Sequence, residues 1–251
     1  MARPLFAWVD AQAQAHRPFL LTVMTNVGHH DYQLPPSWAS KAFASARFPD
    51  DPTYLRYLNC LAYVDDWIAT IVRGFEERGL DRSTVFVILG DHGESFADHE
   101  ERQHIGVLYE EGIHIPALIY APGRDLPPGK VAGLRQQIDI LPTVVELLGY
   151  RPTGGVLVGS SLLHPAPAQR HLFFSGSLDG TYLALRDDTR KYIYTFGRSP
   201  LRVFDEGTDP LERHDLRASL SDSDAERIES ELLLTRARVE ASLLRDGHLS
   251  P

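Results

Sequence analysis

Residues 84–89 read Thr-Val-Phe-Val-Ile-Leu, an apolar run rich in β-branched side chains with no charge inside it. Such a run suits a strand buried on both faces, as in a parallel sheet covered by helices on either side. It ends abruptly in Gly90-Asp91-His92-Gly93-Glu94. In open α/β sheets, ligands sit just beyond the carboxyl ends of the strands. Asp91 and His92 are therefore expected at the edge of a site, with Gly90 and Gly93 letting the backbone turn sharply. Neighbouring oxygen and nitrogen donors of this kind suit a divalent metal. An isolated Asp-His pair is more often a helix cap beside a loop histidine. The apolar strand, the two glycines and the nearby acid Glu94 set this pair apart.

The rest of the chain alternates strand and helix at first and then changes texture. Residues 7–15 read as a short helix, and the apolar run Phe19 to Met24 as a second buried strand, ending at Thr25-Asn26-Val27-Gly28-His29-His30. Asp51-Pro52 makes an N-cap with proline at the first helical position. Beyond it Leu55, Leu58, Leu61, Val64, Ile68, Ile71, Val72 and Phe75 recur at helical spacing up to Gly79. Residues 115–121 read as a third strand, residues 139–148 as a helix, and the Gly/Pro-rich residues 149–167 as a connection. Residues 181–185 and 191–196 flank Arg186-Asp187-Asp188-Thr189-Arg190, which predicts a hairpin. Residues 221–245 are charged and periodic, a terminal surface helix with one apolar stripe. Residues 1–165 thus read as the strand–helix alternation of an α/β domain. Residues 166–251 are expected to add a small β-hairpin plus helix subdomain.

Several classes of function are disfavoured. A net charge of -9 over 251 residues, with no basic cluster longer than two, argues against nucleic acid as a partner. The single cysteine, Cys60, rules out an internal disulfide and any multi-cysteine metal site. It falls within the apolar helix, where a buried structural thiol is the simpler reading, as packing is for Trp67. Asp65 and Asp66 read as a solvated helix face. No run approaches the roughly 20 apolar residues a membrane span needs, and the start does not resemble a signal peptide. Residues 154–160 are glycine-rich but lack the lysine of a phosphate-binding loop, and no Gly-x-Ser-x-Gly elbow occurs.

Histidines supply the remaining candidates. His29 ends the Phe19–Met24 strand and can reach the same crevice as Asp91, while His30 points elsewhere if the backbone is extended. His104 lies thirteen residues after Asp91. His99-Glu100 with His104 approaches the zinc-protease pattern His-Glu-x-x-His, but the spacing is one residue too long for one helical face.

These segments together resemble the sulfatase branch of the alkaline phosphatase superfamily, which includes lipoteichoic acid synthases and phosphoethanolamine transferases. Residues 21–35 resemble its strand and His-x-Pro-Tyr/Phe-x-x-Pro loop, with Asp31 where proline is usual. Tyr57, Asn59, Tyr63 and Asp65 match its Tyr-x-Asn-x-x-x-Tyr-x-Asp helix. Gly90-Asp91-His92-Gly93-Glu94 matches its metal motif. His104 to Glu111, running on to Ile115-Pro116, resembles its His-Gly-x-x-Leu-Tyr-Glu-Glu segment, with Ile105 as a departure. Residues 137–143 resemble x-x-Asp-Ile-x-Pro-Thr, and Lys191-Tyr192-Ile193 with Val203-Phe204-Asp205 through Asp209-Pro210 the closing strands.

The resemblance implies an alkaline-phosphatase-like α/β three-layer sandwich with a mostly parallel sheet, followed by a small C-terminal antiparallel sheet and a terminal helix. Residues 1–165 would be the carboxyl-terminal part of its sulfatase-like catalytic domain, and residues 166–251 a subdomain of the same fold. The resemblance also implies Asp91 and His92 as ligands of a divalent metal (zinc, manganese, calcium or magnesium). His29 and His104 would contact the sulfate or phosphate group or complete a second metal position, and Glu94 and His30 would stand behind them. The substrate would be a sulfate or phosphate ester, displaced in line with the metal neutralising charge and histidines protonating the leaving alcohol. In the family, the first acidic ligand and the nucleophile (threonine, or a modified cysteine in Cys-x-Pro-x-Arg) lie upstream of the matched segment. Cys60 does not fit that pattern, since Ala62 and Val64 follow it. No nucleophile is therefore expected in this chain, which would be inactive alone. We expect an incomplete gene product or a mis-assigned start, with Met1 internal to a longer protein; full-length relatives are often membrane-anchored with an extracytoplasmic catalytic domain, and the location of this chain is left open. The alternatives are a fragment of a phosphoethanolamine- or phosphoglycerol-type membrane transferase, and a non-catalytic remnant that binds an anion or a partner.

Overall fold

Asp51 and Pro52 begin a helix as their order predicts. In a computed structural model that describes residues 2–41, 43, 51–99, 102–104, 107–151, 153, 158–176, 182–197 and 199–245, the Asp51 carboxylate accepts hydrogen bonds from the Thr53 and Tyr54 amides, and Pro52 opens helix α2, Pro52–Glu76. The cap satisfies backbone donors that the first turn leaves without partners. Asp51→Ala is expected to cost about 1 kcal/mol, read as a lower denaturant midpoint; an unchanged midpoint would show that the cap is dispensable.

The chain divides into two compact units, Met1–Leu89 with Pro116–Pro127, and Gly90–Ile115 with Pro128–Pro251. The first contains α1 (Ala2–Gln14), α2, β1 (Phe86–Leu89) and β4 (Ala117–Tyr120). Its packing is aromatic. Phe75 of α2 meets Phe6, Phe19 and Phe86 with ring centroids 5.2–6.5 Å apart, edge-on or tilted as ring quadrupoles prefer. Gly74 lets the Phe6 ring lie directly on the α2 backbone, where a Cβ would overlap it. Val9 and Cys60 are fully buried, so the thiol is a packing group, as expected. Asp65 and Asp66 are exposed.

Two strand expectations need correction here. Residues 19–24 form no strand, and Leu20 and Met24 are 85% and 87% exposed. Apolar composition alone does not make a strand, because a ladder needs a neighbour, and no described segment pairs with this one. The run at 84–89 does form β1, but its described neighbour is β4, and the two pair antiparallel, Phe86 opposite Tyr120 through Leu89 opposite Ala117. Phe86, Val87 and Ile88 are half-buried and Leu89 is exposed, so β1 is not covered on both faces among the described residues.

The second unit contains β2 (Ser95–Phe96), β3 (Arg102–Gln103), α3 (Glu110–Ile113), α4 (Ile140–Leu147), β5 (His171–Ser175), β6 (Tyr182–Asp187), β7 (Arg190–Thr195), β8 (Ser199–Asp205) and α5 (Asp222–Arg245). Strands β5 to β8 make an antiparallel sheet in sequence order. The expected hairpin is β6–β7, and α5 is the expected terminal helix. Side chains alternate across the sheet. Leu183, Leu185, Tyr192, Leu201 and Val203 face Ala225, Ile228 and Leu232 of α5, the stripe anticipated from spacing. Ala184, Ile193 and Phe204 face Val107, Leu108 and Tyr109 on the other side. The sheet is thus buried on both faces, and its second face receives the segment that carries α3. Glycine-rich residues 154–157, together with Glu100, Ile105, Gly106 and Thr181, lie outside the described residues.

Candidate functional site

The site loop leaves β1 at Leu89 and runs through Gly90, Asp91, His92 and Gly93. Two contacts hold it. The Gln137 side-chain amide donates to the carbonyl oxygens of Gly90, at 3.0 Å, and Asp91, at 2.8 Å. The Gly93 N–H donates to the Gly112 carbonyl at 2.8 Å. The chain bends at Asp91, and neither Gly90 nor Gly93 adopts a left-handed conformation there. Gly93 is needed for close approach: a Cβ there would overlap the Glu111 carbonyl oxygen.

The loop presents its donors in a definite arrangement. The His92 N–H donates to Asp91 Oδ1 at 3.0 Å, and the ring Nδ1 lies 2.7 Å from the Gly93 carbonyl oxygen. A neutral His92 ring therefore carries its proton on Nδ1 and its lone pair on Nε2, since a carbonyl can only accept. Nε2 in turn lies 3.7 Å from Asp91 Oδ2. Bonds of about 2.1 Å separate two ligand atoms at a tetrahedral metal by about 3.4 Å. The pair thus fits two positions of a divalent cation, with the tautomer that metal-binding histidines use. Asp91 is largely exposed, at 84% of its side chain. Among the described residues, no three His, Cys, Asp or Glu side chains converge into a fuller metal site.

His104 follows β3, and its ring stacks on that of His92 with centroids 4.2 Å apart. Its Nδ1 is 3.5 Å from Glu94 Oε2, and the Glu94 side chain is only 4% exposed, with Oε1 buried and without a hydrogen-bond partner among the described residues. Asp91, His92, Glu94 and His104 therefore occur together within one unit. His99 belongs to a different group: its ring stacks on Tyr109 and its Nδ1 lies 2.8 Å from Glu111 Oε1.

His29 and His30 lie in the other unit, in a turn after the unpaired residues 19–24. His29 Nδ1 is 2.9 Å from the His30 carbonyl oxygen, and His30 Nδ1 is 2.7 Å from Asp31 Oδ1. The turn is fixed through Tyr32, 3% exposed, whose ring meets Tyr57 of α2 edge-on at 5.5 Å.

Sequence reasoning missed the supports. Asp139, recognised only as part of a helix-start pattern, is fully buried and receives a bidentate pair from Arg170 at 2.7 and 2.8 Å. Gln137, two residues earlier, is the residue that reaches the site loop. Lys191, seen only as part of a strand, is buried among Glu110, Glu206 and Glu212 at 3.0, 3.2 and 2.7 Å. A buried-face lysine in the alternating pattern of β7 was the available signal.

The α/β architecture is shared with solved structures. A putative sulfatase of Bacteroides fragilis, yidJ, is similar over 90% of this chain and 55% of its own, with a TM-score of 0.70 at 20% identity, so the fold is the alkaline-phosphatase-like α/β type. The sulfatase family model matches residues 1–150, and the chain belongs to the sulfatase family. Bovine arylsulfatase K is 29% identical over 182 residues, covering 64% of this chain and 33% of the relative. The multifunctional alkaline phosphatase superfamily protein PehA of Trinickia caryophylli is 26% identical over 181 residues, covering 62% of this chain and 34% of the relative. The chain spans about a third of the length of these curated relatives. Members of this superfamily use divalent metals. No helix among the described residues is long and apolar enough to cross a membrane.

Proposed function

We propose that this chain carries the metal-binding and leaving-group side of a sulfatase-like hydrolase site acting on sulfate or phosphate esters. The observation that supports this most is the approach of Asp91 Oδ2 and His92 Nε2 to 3.7 Å at the end of β1, in a chain of the sulfatase family. When bound there, a divalent cation supplies charge neutralisation for the ester oxygens. Asp91 contributes the anionic ligand and His92 the neutral nitrogen. A histidine ligand favours zinc or manganese over calcium or magnesium.

His104 is the proton carrier in this reading, able to donate to an ester oxygen or to the leaving alcohol. Glu94, buried beside it, orients the ring. By the resemblance His29 is a further candidate for contact with a sulfate or phosphate group, and His30, paired with Asp31, lies beside it in the same turn. Cys60 is not the nucleophile: it is fully buried, and burial pushes its thiol up from its ordinary range, away from the thiolate that attack requires. The nucleophile is assigned to no residue of this chain. Phosphate esters stay within the proposal because residues 95–109 contain no lysine, where many sulfatases place one.

Calorimetric titration with zinc or manganese tests the reading. The 251-residue chain is expected to take up one ion, with affinity falling on the order of tenfold or more in Asp91→Ala and in His92→Ala. Equal affinity in the variants would remove these residues from the metal. The same chain is expected not to turn over nitrophenyl sulfate or phosphate. Metal-dependent turnover abolished by Asp91→Ala would place the nucleophile within it.

A further inference from the structure

We propose that Gln137 is a positioning residue for the Asp91–His92 pair, holding the backbone of both to a buried Asp139–Arg170 brace. The functional half of this inference rests on the metal reading above; the structural half does not. One amide group on Gln137 spans two consecutive carbonyl oxygens, those of Gly90 and Asp91, at 3.0 and 2.8 Å. An NH2 group has two hydrogens, one for each oxygen. With both carbonyls held, the peptide planes on either side of the Asp91 Cα are constrained. The His92 N–H is thereby kept on Asp91 Oδ1, which leaves Oδ2 turned towards His92 Nε2. Gln137 thus acts on the donor atoms through the backbone without touching them.

The base that carries Gln137 is rigid. Residues Gln137–Asp139 form one 3-10 turn, in which the Gln136 N–H donates to Asp139 Oδ2 and the Asp139 N–H to the Gln136 carbonyl, both at 2.9 Å. Arg170, 11% exposed, clamps both Asp139 oxygens. The Ser160 N–H adds a third direction at 2.8 Å. Planar bidentate pairs of this kind fix orientation as well as distance. Outer contacts that orient metal ligands commonly change metal affinity by 10- to 100-fold when lost.

Two measurements on the 251-residue chain and its Gln137→Ala and Gln137→Glu variants decide the matter. The first needs no metal: hydrogen exchange of the His92 and Gly93 amides, with the β6–β7 amides as reference. Exchange at 92–93 is expected to rise on the order of tenfold in Gln137→Ala, with β6–β7 unchanged. The rise should be larger in Gln137→Glu, whose carboxylate sets two acceptors against two carbonyl oxygens. The second is titration with cobalt(II), followed by its visible absorption. The dissociation constant is expected to rise on the order of tenfold with an altered spectrum and unchanged stoichiometry. Unchanged exchange at 92–93 overturns the proposal. So does exchange that rises equally in β6–β7, which would mean general loosening. Raised exchange with an identical cobalt constant and spectrum also overturns it, since Gln137 would then be structural only. If the unsubstituted chain binds no cobalt, the metal reading fails, and exchange alone decides whether Gln137 holds the loop.

Discussion

Lys191→Met is expected to destabilise the protein by about 3–5 kcal/mol, the usual cost of removing one partner from a buried ionic cluster. Lys191 is fully buried, and its ammonium meets Glu110, Glu206 and Glu212 at 3.0, 3.2 and 2.7 Å. Arg186 reaches the same cluster through Glu110 and Glu206. The set is acidic by one charge, two cations against three carboxylates. The Glu206 oxygens meet their cations at close range without well-angled hydrogen bonds, so charge rather than geometry holds them. Methionine would leave three carboxylates with one partly exposed guanidinium, and the anions would be left poorly compensated in a low-dielectric site. A urea midpoint shifted by less than about 1 kcal/mol equivalent would show that the carboxylates simply take up protons.

The same cluster gives a pH dependence with a definite sign. Burial raises the Glu206 and Glu212 carboxyls above their ordinary value of 4.5, against the pull of Lys191. For a group raised on folding, the stability it contributes is present below the unfolded value and is lost as pH rises through the folded one. Glu110 runs the other way. Burial pushes it up, but Lys191, Arg186 and His114 together hold it below 4.5, so its contribution is lost as pH falls through its folded value. Stability is therefore expected to decline as pH rises from 4.5 through the raised values of Glu206 and Glu212. Lys191→Met should steepen that decline, because it removes the cation that opposes the rise. Urea midpoints in a pH series check both statements, and a flat profile in the variant would refute the second.

Arg170→Met is expected to cost about 3 kcal/mol, at the lower end for a broken buried pair, because Asp139 keeps the Gln136 and Ser160 amides. Burial pushes the Asp139 carboxyl up, but Arg170 first and then those two amides hold it below its ordinary 3.8. For a lowered group the stability is present above 3.8 and lost as pH falls through the folded value. Without Arg170 that loss should begin at higher pH. Acid unfolding followed in the two proteins measures this; coincident acid transitions would mean the two amides suffice. The effect should reach the site loop as well, since the Asp139 turn carries Gln137.

Much of the secondary structure was legible because it depends on neighbours in sequence. The Asp51 cap, the helical period of α2, the β6–β7 hairpin and the stripe Ala225, Ile228 and Leu232 of α5 are local rules. Each is satisfied by residues within a turn or two, or by the two-residue alternation of a strand. Phe19 to Met24 failed where locality ends. Its composition suits a strand, but a strand exists only with a ladder partner, and no described segment provides one. β1 was legible as a strand but not in its pairing, because direction is a property of the neighbour it meets.

The candidate site divides in the same way. Asp91 and His92 are adjacent in the chain, and residue type at the end of an apolar run made them candidates, but neighbours on an extended backbone point apart, so their approach is a matter of the fold. That His104 stacks on His92, that Glu94 is buried beside it, and that Gly93 lies against α3 are contacts across 10–20 residues, which composition does not encode. Gln137 and Arg170 lie 46 and 31 residues from the groups they hold. By itself the sequence determined the family, the donor pair and the local elements, since these depend on residue identity and short-range periodicity. Only the tertiary structure decided which atom of each donor is turned towards the other and what keeps it there. Hydrogen bonds between distant segments act on direction within a few tenths of an ångström, a scale that chemistry along the chain leaves open.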